Sequence, residues 1–245
     1  MIVKASLCNM FGVNPELVCD QLLYGWSVKA ISVTERLAFV EAPMFYRGYA
    51  HLSNFTGKSY EADSIVTALC TGAYKEPTFK SEELFTLYMG SYVKTTAYEK
   101  DGFREIEGVN GESFYVHSKC IEKRRTEFDA DKLIKTAKAF IGAPYKWGGK
   151  TCNGIDCSGF VAMCYHSCGI EIYRDSDPDK MPIGRRIGFD GLEKGDIVYL
   201  KGHVGLYVGK GIVVHASWRE GKVCYTGLEE FLKLSEPVCA VRVSL

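Results

Sequence analysis

The chain has 245 residues and equal numbers of basic and acidic side chains, thirty of each, so its formal net charge is zero. No global positive field is present to draw it onto a phosphate backbone, and nucleic acid is excluded as an expected partner. With 47% apolar and 13% aromatic residues it has the material for a core and lacks the composition of a disordered chain.

From Met1 to Asn9 the sequence shows neither the basic start nor the apolar run of roughly 7–15 residues that marks a signal peptide. No apolar run anywhere approaches the ~20 residues that span a bilayer, so the expectation is a cytoplasmic chain without a membrane span. Ten cysteines are dispersed along it with no Cys-x-x-Cys pair, and most are expected to be reduced and buried. Cys164 and Cys168 have helical spacing but no second ligand pair to complete a structural zinc site.

Residues 16–122 are rich in short β-type runs separated by Gly, Asn, Asp and Pro, the pattern of small all-β units. A weak repeat runs through them. Leu23-Tyr24-Gly25-Trp26 is echoed by Leu87-Tyr88-Met89-Gly90, and Tyr49-Ala50-His51 by Tyr115-Val116-His117, a period of about 65 residues that suits two small barrels better than a solenoid. This predicts one module over residues 1–60 and a second over 61–122. Alternation predicts half-buried strands at Val28–Val33 and Phe103–Ile106. Residues 61–84 read as the connection, with Ser64–Cys70 either opening the second copy or linking to it.

After Glu122-Lys123-Arg124-Arg125 the period changes, which opens a third domain over 123–245. Asp129 to Phe140 has helical apolar spacing, an aspartate to cap it and Gly142 just beyond its end. A Gly-rich loop leads into a second helix closed by Gly169. From Gly195 three strands follow, Ile197–Leu200, Val204–Val208 and Gly211–His215. Helices first and an antiparallel sheet afterwards predict an α+β domain.

The second helix opens at Asp156-Cys157-Ser158-Gly159-Phe160. A thiol in the first turn of a capped helix feels the positive end of the helix dipole and nearby N–H groups, which favours thiolate. Such a nucleophile needs a base, and His203 and His215 are the histidines of the strand-rich half. The Gly209-Lys210-Gly211 turn between them predicts a hairpin that brings both imidazoles to one region of the sheet. His203 would then take the proton of Cys157 while His215 holds the far nitrogen of His203, as an Asp or Asn does in other triads. Taken singly, a helix-start cysteine is more often a small apolar filler and a strand histidine a structural residue; His51, His117 and His166 are read that way. Cys157, His203 and His215 would also suit zinc as a set.

Taken in order, Tyr145-x-Trp147-Gly148-Gly149, Asp156-Cys157-Ser158-Gly159-Phe160, Gly195-Asp196-Ile197, His203-Val204-Gly205 and Val214-His215 make residues 129–242 resemble the NlpC/P60 family of cysteine peptidases. The N-terminal repeat is similar to bacterial SH3-type modules through its Leu-Tyr-Gly turn and Tyr46-Arg47-Gly48-Tyr49. The resemblance implies an α+β papain-like catalytic domain preceded by two small all-β SH3-like barrels. It further implies hydrolysis, without a cofactor, of the bond between γ-D-glutamate and a diamino acid in small peptidoglycan-derived peptides with a free N-terminal L-alanine, as in cell-wall recycling. On that pattern Cys157, His203 and His215 are catalytic. Asp156, Ser158 and Ser176 would bind the substrate amine, Tyr46 of the first module would reach over the cleft, and Tyr145 would join the Cys157 N–H at the oxyanion. A wall-fragment binding protein without turnover, and a thiol acyltransferase or amidase on the same fold, are the competing readings.

Overall fold

In the computed structural model residues 1–14, 16–126 and 128–243 are described, and the chain divides into two compact units, Met1–Arg125 and Thr126–Leu245.

The N-terminal unit is all β, and its two halves correspond element for element. The first half runs β1 (Ile2–Val3), β2 (Leu7–Phe11), β3 (Val18–Leu23), β4 (Lys29–Val33), β5 (Leu37–Ala42), β6 (Tyr46–His51) and β7 (Phe55–Thr56). The second runs β8 (Ser64–Val66), β9 (Cys70–Tyr74), β10 (Glu83–Tyr88), β11 (Tyr92–Lys100), β12 (Phe103–Glu107), β13 (Ser113–His117) and β14 (Ile121–Lys123). In each half the first strand pairs with the last, the second with the third, and the second again with the sixth, through Phe11↔Tyr49 and Tyr74↔Tyr115. The echoed turns have the same geometry: Gly25 and Gly90 both take positive φ, at 78° and 88°, and each donates its N–H to the first strand of its half, to Val3 and Val66. Glycine is required there because L side chains are strained in that region.

The halves share one core. Tyr24, from the first, packs against Phe85 and Phe114 of the second, and its hydroxyl accepts the Val109 N–H at 2.9 Å. Trp26 donates its indole N–H to the Gly90 carbonyl at 2.8 Å. Two expectations are corrected. Residues 61–84 are more than a connection: the second half opens within Ser64–Cys70, one of the two roles expected of it, and the segment carries β8, β9 and the start of β10. And β4 is exposed throughout rather than half-buried, because neither of its faces is covered by a neighbouring layer, whereas β3 at the other edge of the same sheet is largely buried.

The C-terminal unit opens with α1 (Ala130–Ala139), capped by Asp129, whose carboxylate accepts the N–H groups of Asp131 and Lys132. A short hairpin, β15 (Lys150–Thr151) and β16 (Gly154–Ile155), delivers the chain into α2 (Cys157–His166). All ten residues of α2 are buried, so it is the central helix of the unit and needs no polar face. Beyond it lie β17 (Arg185–Ile187), β18 (Ile197–Leu200), β19 (His203–Gly209), β20 (Ile212–Ser217), β21 (Lys222–Gly227), α3 (Leu228–Phe231) and β22 (Pro237–Arg242). The strands form one antiparallel sheet in the order β17-β22-β18-β19-β20-β21. This is the expected α+β arrangement, with three further strands that the sequence pattern did not single out. The β19–β20 turn is a two-residue Lys210-Gly211 loop with φ of 55° and 70°, the geometry whose twist matches paired strands. All ten cysteines are free thiols, but only Cys8, Cys157, Cys164 and Cys168 are buried, so the expectation of general burial is corrected.

Candidate active site

Cys157 is the first residue of α2, directly after its cap. The Asp156 carboxylate accepts the N–H of Gly159 at 2.6 Å and that of Gly148 at 2.8 Å, which ties the helix start to the Gly-rich loop. The loop passes so close that a Cβ on Gly159 would lie 2.3 Å from the Gly149 carbonyl oxygen, so only glycine fits there. The backbone N–H groups of Ser158 and Val204 are near enough to the Cys157 sulphur to favour its charged form, which puts the thiol by the start of β19, next to His203.

His203 and His215 meet as a hairpin predicts. Extending the Leu206↔Val214 register to the start of β19 makes them diagonal neighbours on one face, and His203 Nε2 lies 2.8 Å from His215 Nδ1. The far nitrogen of His215, Nε2, lies 3.0 Å from the Thr226 hydroxyl on β21. The rings stand edge to face at 4.9 Å, and the fully buried Phe231 of α3 packs on both, at 5.6 and 5.0 Å. Gly205 makes room for that phenyl ring, since a Cβ there would sit 2.9 Å from it.

The protonation states depart from expectation. Burial, and then the Asp156 charge, push the Cys157 thiol up to about 12, against the smaller pull of the Val204 and Ser158 N–H groups. Burial, and then the Arg219 charge, lower His203 to about 4. Burial and His203 hold His215 down as well. The free site is therefore a neutral thiol beside neutral imidazoles, because dehydration outweighs the helix N-terminus. The N–H groups at the helix start pull towards thiolate as expected, and burial together with the Asp156 charge pulls the other way more strongly.

Arg174 opens the Arg174-Asp175-Ser176 segment that the resemblance places along the same pocket. Fully buried, it donates to both Asp156 oxygens, at 3.0 and 2.9 Å, and to the Ser158 hydroxyl at 2.8 Å. The Asp156 carboxylate, expected to meet a substrate amine, thus already has a cationic partner and accepts four strong hydrogen bonds. Ser176 lies two residues beyond Arg174 and is half-buried. Tyr145 bridges to Ile155 and gives its N–H to the Gly221 carbonyl. Its phenol is raised to about 12, chiefly by burial and also by its acidic neighbours Cys157 and Asp156, so it stays a proton donor near the thiol. Tyr46 opens β6 in the N-terminal unit, directly after Met44 and Phe45, both at positive φ. Thr226 and Phe231 were invisible to motif reading. A strand threonine and a helix phenylalanine announce no chemistry until the fold sets them against the imidazoles. Asp196, in the Gly195-Asp196 block, is structural: Arg242 donates to both its oxygens, at 2.9 and 2.7 Å, clamping the start of β18 to β22. Among the described residues no group of His, Cys, Asp and Glu is arranged to hold a metal, and no helix is long and apolar enough to cross a membrane.

Residues 142–241 match the model of the NlpC/P60 family. Over 250 residues the chain is 29% identical to a Lysinibacillus sphaericus protein named dipeptidyl-peptidase 6, covering 94% of this chain and 92% of that one. It is 33% identical over 157 residues to the gamma-D-glutamyl-L-lysine dipeptidyl-peptidase of Bacillus subtilis, covering 59% of this chain and 51% of that one. The crystal structure of an NlpC/P60 family protein from Bacillus cereus superposes with a TM-score of 0.85 at 22% identity, over 99% of this chain and 98% of that one, so the fold is shared. The family match spans the cysteine helix and both histidine strands, and the C-terminal unit is similar to NlpC/P60 domains over most of its length.

Proposed function

We propose that the chain is a cysteine peptidase that hydrolyses the bond between γ-D-glutamate and an L-diamino acid, lysine or diaminopimelate, in short peptidoglycan-derived peptides with a free N-terminal L-alanine. The observation that carries this is the run His203–His215–Thr226 beginning beside a capped helix-start cysteine. The names of the relatives supply the substrate class: dipeptidyl-peptidases, one of them acting on γ-D-glutamyl-L-lysine.

In this reading His203 Nε2–H donates to His215 Nδ1 and His215 Nε2–H donates to Thr226, which leaves His203 Nδ1 unprotonated and free to act as base. The Cys157 sulphur attacks the γ-carbonyl carbon as its proton passes to His203, because neither group is charged beforehand. The oxyanion is met by the Cys157 N–H and the Tyr145 hydroxyl. His203 then gives the proton to the departing α-amine, the thioester forms, and water attacks it by the same base to release the acyl product. Asp156, which an incoming ammonium would share with Arg174, and the hydroxyls of Ser158 and Ser176 are the proposed amine ligands. The two N-terminal halves are read as SH3-like modules, supported by their shared seven-strand order.

The test is mass spectrometry after incubation with L-Ala-γ-D-Glu-L-Lys, its diaminopimelate counterpart and their N-acetylated forms. Release of the diamino acid from the free peptides, absent with Cys157→Ala, is the expected result. Cleavage of acetylated and free peptides alike would remove the amine requirement. Cleavage of none, or transfer to an added amine in place of hydrolysis, would overturn the reading.

A further inference from the structure

On the side of His203 that faces Trp218 lies a pocket of about 170 Å³, lined by Lys201, His203, Ser217, Trp218, Arg219 and Ser235 among others. Its cations are not equivalent. Lys201 has an acidic partner, Glu236, at 3.3 Å. Among the described residues no carboxylate lies within ion-pair distance of Arg219. Its guanidinium stands over the Trp218 ring at 5.4 Å from the centroid and spends one N–H on the Leu234 carbonyl at 3.3 Å. A guanidinium has five N–H donors in a rigid fork, so the rest remain for a ligand, and stacking on an indole orients the fork in advance. Trp218 is 65% exposed, so its ring is open to a ligand that enters the pocket.

Position decides what that ligand is. The base must hand its proton to the departing amine, so the residue leaving the scissile bond lies on the His203 side of the thiol. This pocket has His203 as one wall, and Arg219 is near enough to contribute to holding His203 low.

We propose that this pocket receives the leaving amino acid, its stem packing on Trp218 and its α-carboxylate held by Arg219, so that the enzyme prefers peptides ending in a free carboxylate immediately after the scissile bond. The proposal rests on the reading of the site as a γ-D-glutamyl peptidase and adds a requirement that reading lacks. A substrate extended beyond the diamino acid, or cross-linked through it, replaces that carboxylate with an amide and forfeits a charge-assisted pair. Arg219 thus selects for fully trimmed tripeptides, independently of how the amino end is recognised.

The experiment compares kcat/KM for L-Ala-γ-D-Glu-L-Lys and its C-terminal amide in the wild-type protein, Arg219→Ala and Arg219→Lys. The wild type should prefer the acid about tenfold or more, as expected for one charge-assisted hydrogen-bonded pair. That ratio should fall towards unity in Arg219→Ala, chiefly through KM, with partial retention in Arg219→Lys. An unchanged ratio in Arg219→Ala overturns the proposal. If the wild type cleaves neither peptide, the peptidase reading has failed on its own, and the pocket is judged by titrating L-lysine and L-lysinamide while following the Trp218 indole N–H resonance. A saturable shift with lysine, absent with lysinamide and with Arg219→Ala, supports the pocket. No shift, or the same shift in the variant, overturns it.

Discussion

Arg174 grips both oxygens of Asp156 and the hydroxyl of Ser158, so the residues on either side of Cys157 are held by one buried cation. Removing that cation leaves a dehydrated carboxylate at the helix start with two N–H donors and no counter-charge. Arg174→Met should cost about 3–5 kcal/mol, read as a lower urea midpoint. Adding Asp156→Asn should return part of the loss, because the two positions are coupled. A single variant with an unchanged midpoint would show that the pair contributes nothing.

In the proposed mechanism His215 acts on the reaction only through His203, whose Nε2 it meets at 2.8 Å. His215→Ala should lower kcat by about 10²–10⁴ with the fold retained by circular dichroism. His215→Asn should retain more activity, since an amide oxygen can accept the His203 Nε2–H. Thr226→Val removes the partner of His215 Nε2 and should produce a smaller loss of the same kind. Equal kcat in all three variants would exclude a tautomer-holding role.

The pH profile follows from the lowered imidazoles. With His203 at about 4 rather than 6.5, the base remains neutral down through mildly acidic pH, and kcat/KM should fall only as pH drops towards about 4. Stability has the same sign. The unfolded chain binds protons at its histidines below about 6.5 while the folded site refuses them, so stability is complete above 6.5 and declines as pH falls from there towards 4. Urea midpoints in His203→Gln should show a weaker acid dependence than in the wild type. An activity profile falling near 6.5 would contradict a buried neutral base.

Because the Cys157 thiol is buried and raised, it should be alkylated by iodoacetamide at neutral pH more slowly than the exposed Cys70. Peptide mapping by mass spectrometry reads both sites in one experiment. Faster reaction at Cys157 would mean that a resting thiolate forms after all.

Gly159→Ala should fail to reach the native state or lose several kcal/mol, since the new methyl group would sit 2.3 Å from a backbone oxygen that the Asp156 network holds in place. In the N-terminal unit Tyr24→Phe should cost about 1–3 kcal/mol by leaving the buried Val109 N–H without an acceptor. Thermal unfolding followed by circular dichroism measures both.

Much of the molecule is legible in its sequence because the signals are local. A capped helix beginning at Cys157, a Gly-punctuated hairpin carrying two histidines, and a repeat whose glycines recur at equivalent turns depend only on spacing and backbone sterics, and each stands where the residues predict. Within 61–84 the opening of the second half at Ser64 is legible, but not the strands themselves, because β8 is three residues long and too short for alternation to register. Strand β4 was misread because alternation reports a strand's pattern and not whether a neighbouring layer covers it.

The tertiary structure alone decided the rest, since it depends on distance in space and on exclusion of water. Arg174 meets Asp156 across 18 residues of chain, and Phe231 closes over His215 from a helix no motif includes. The balance of forces on the Cys157 thiol was decided there too. Residue order puts Cys157 at a helix N-terminus, which favours the thiolate, but the depth at which the fold buries that turn, beside a carboxylate, tips the balance to the thiol.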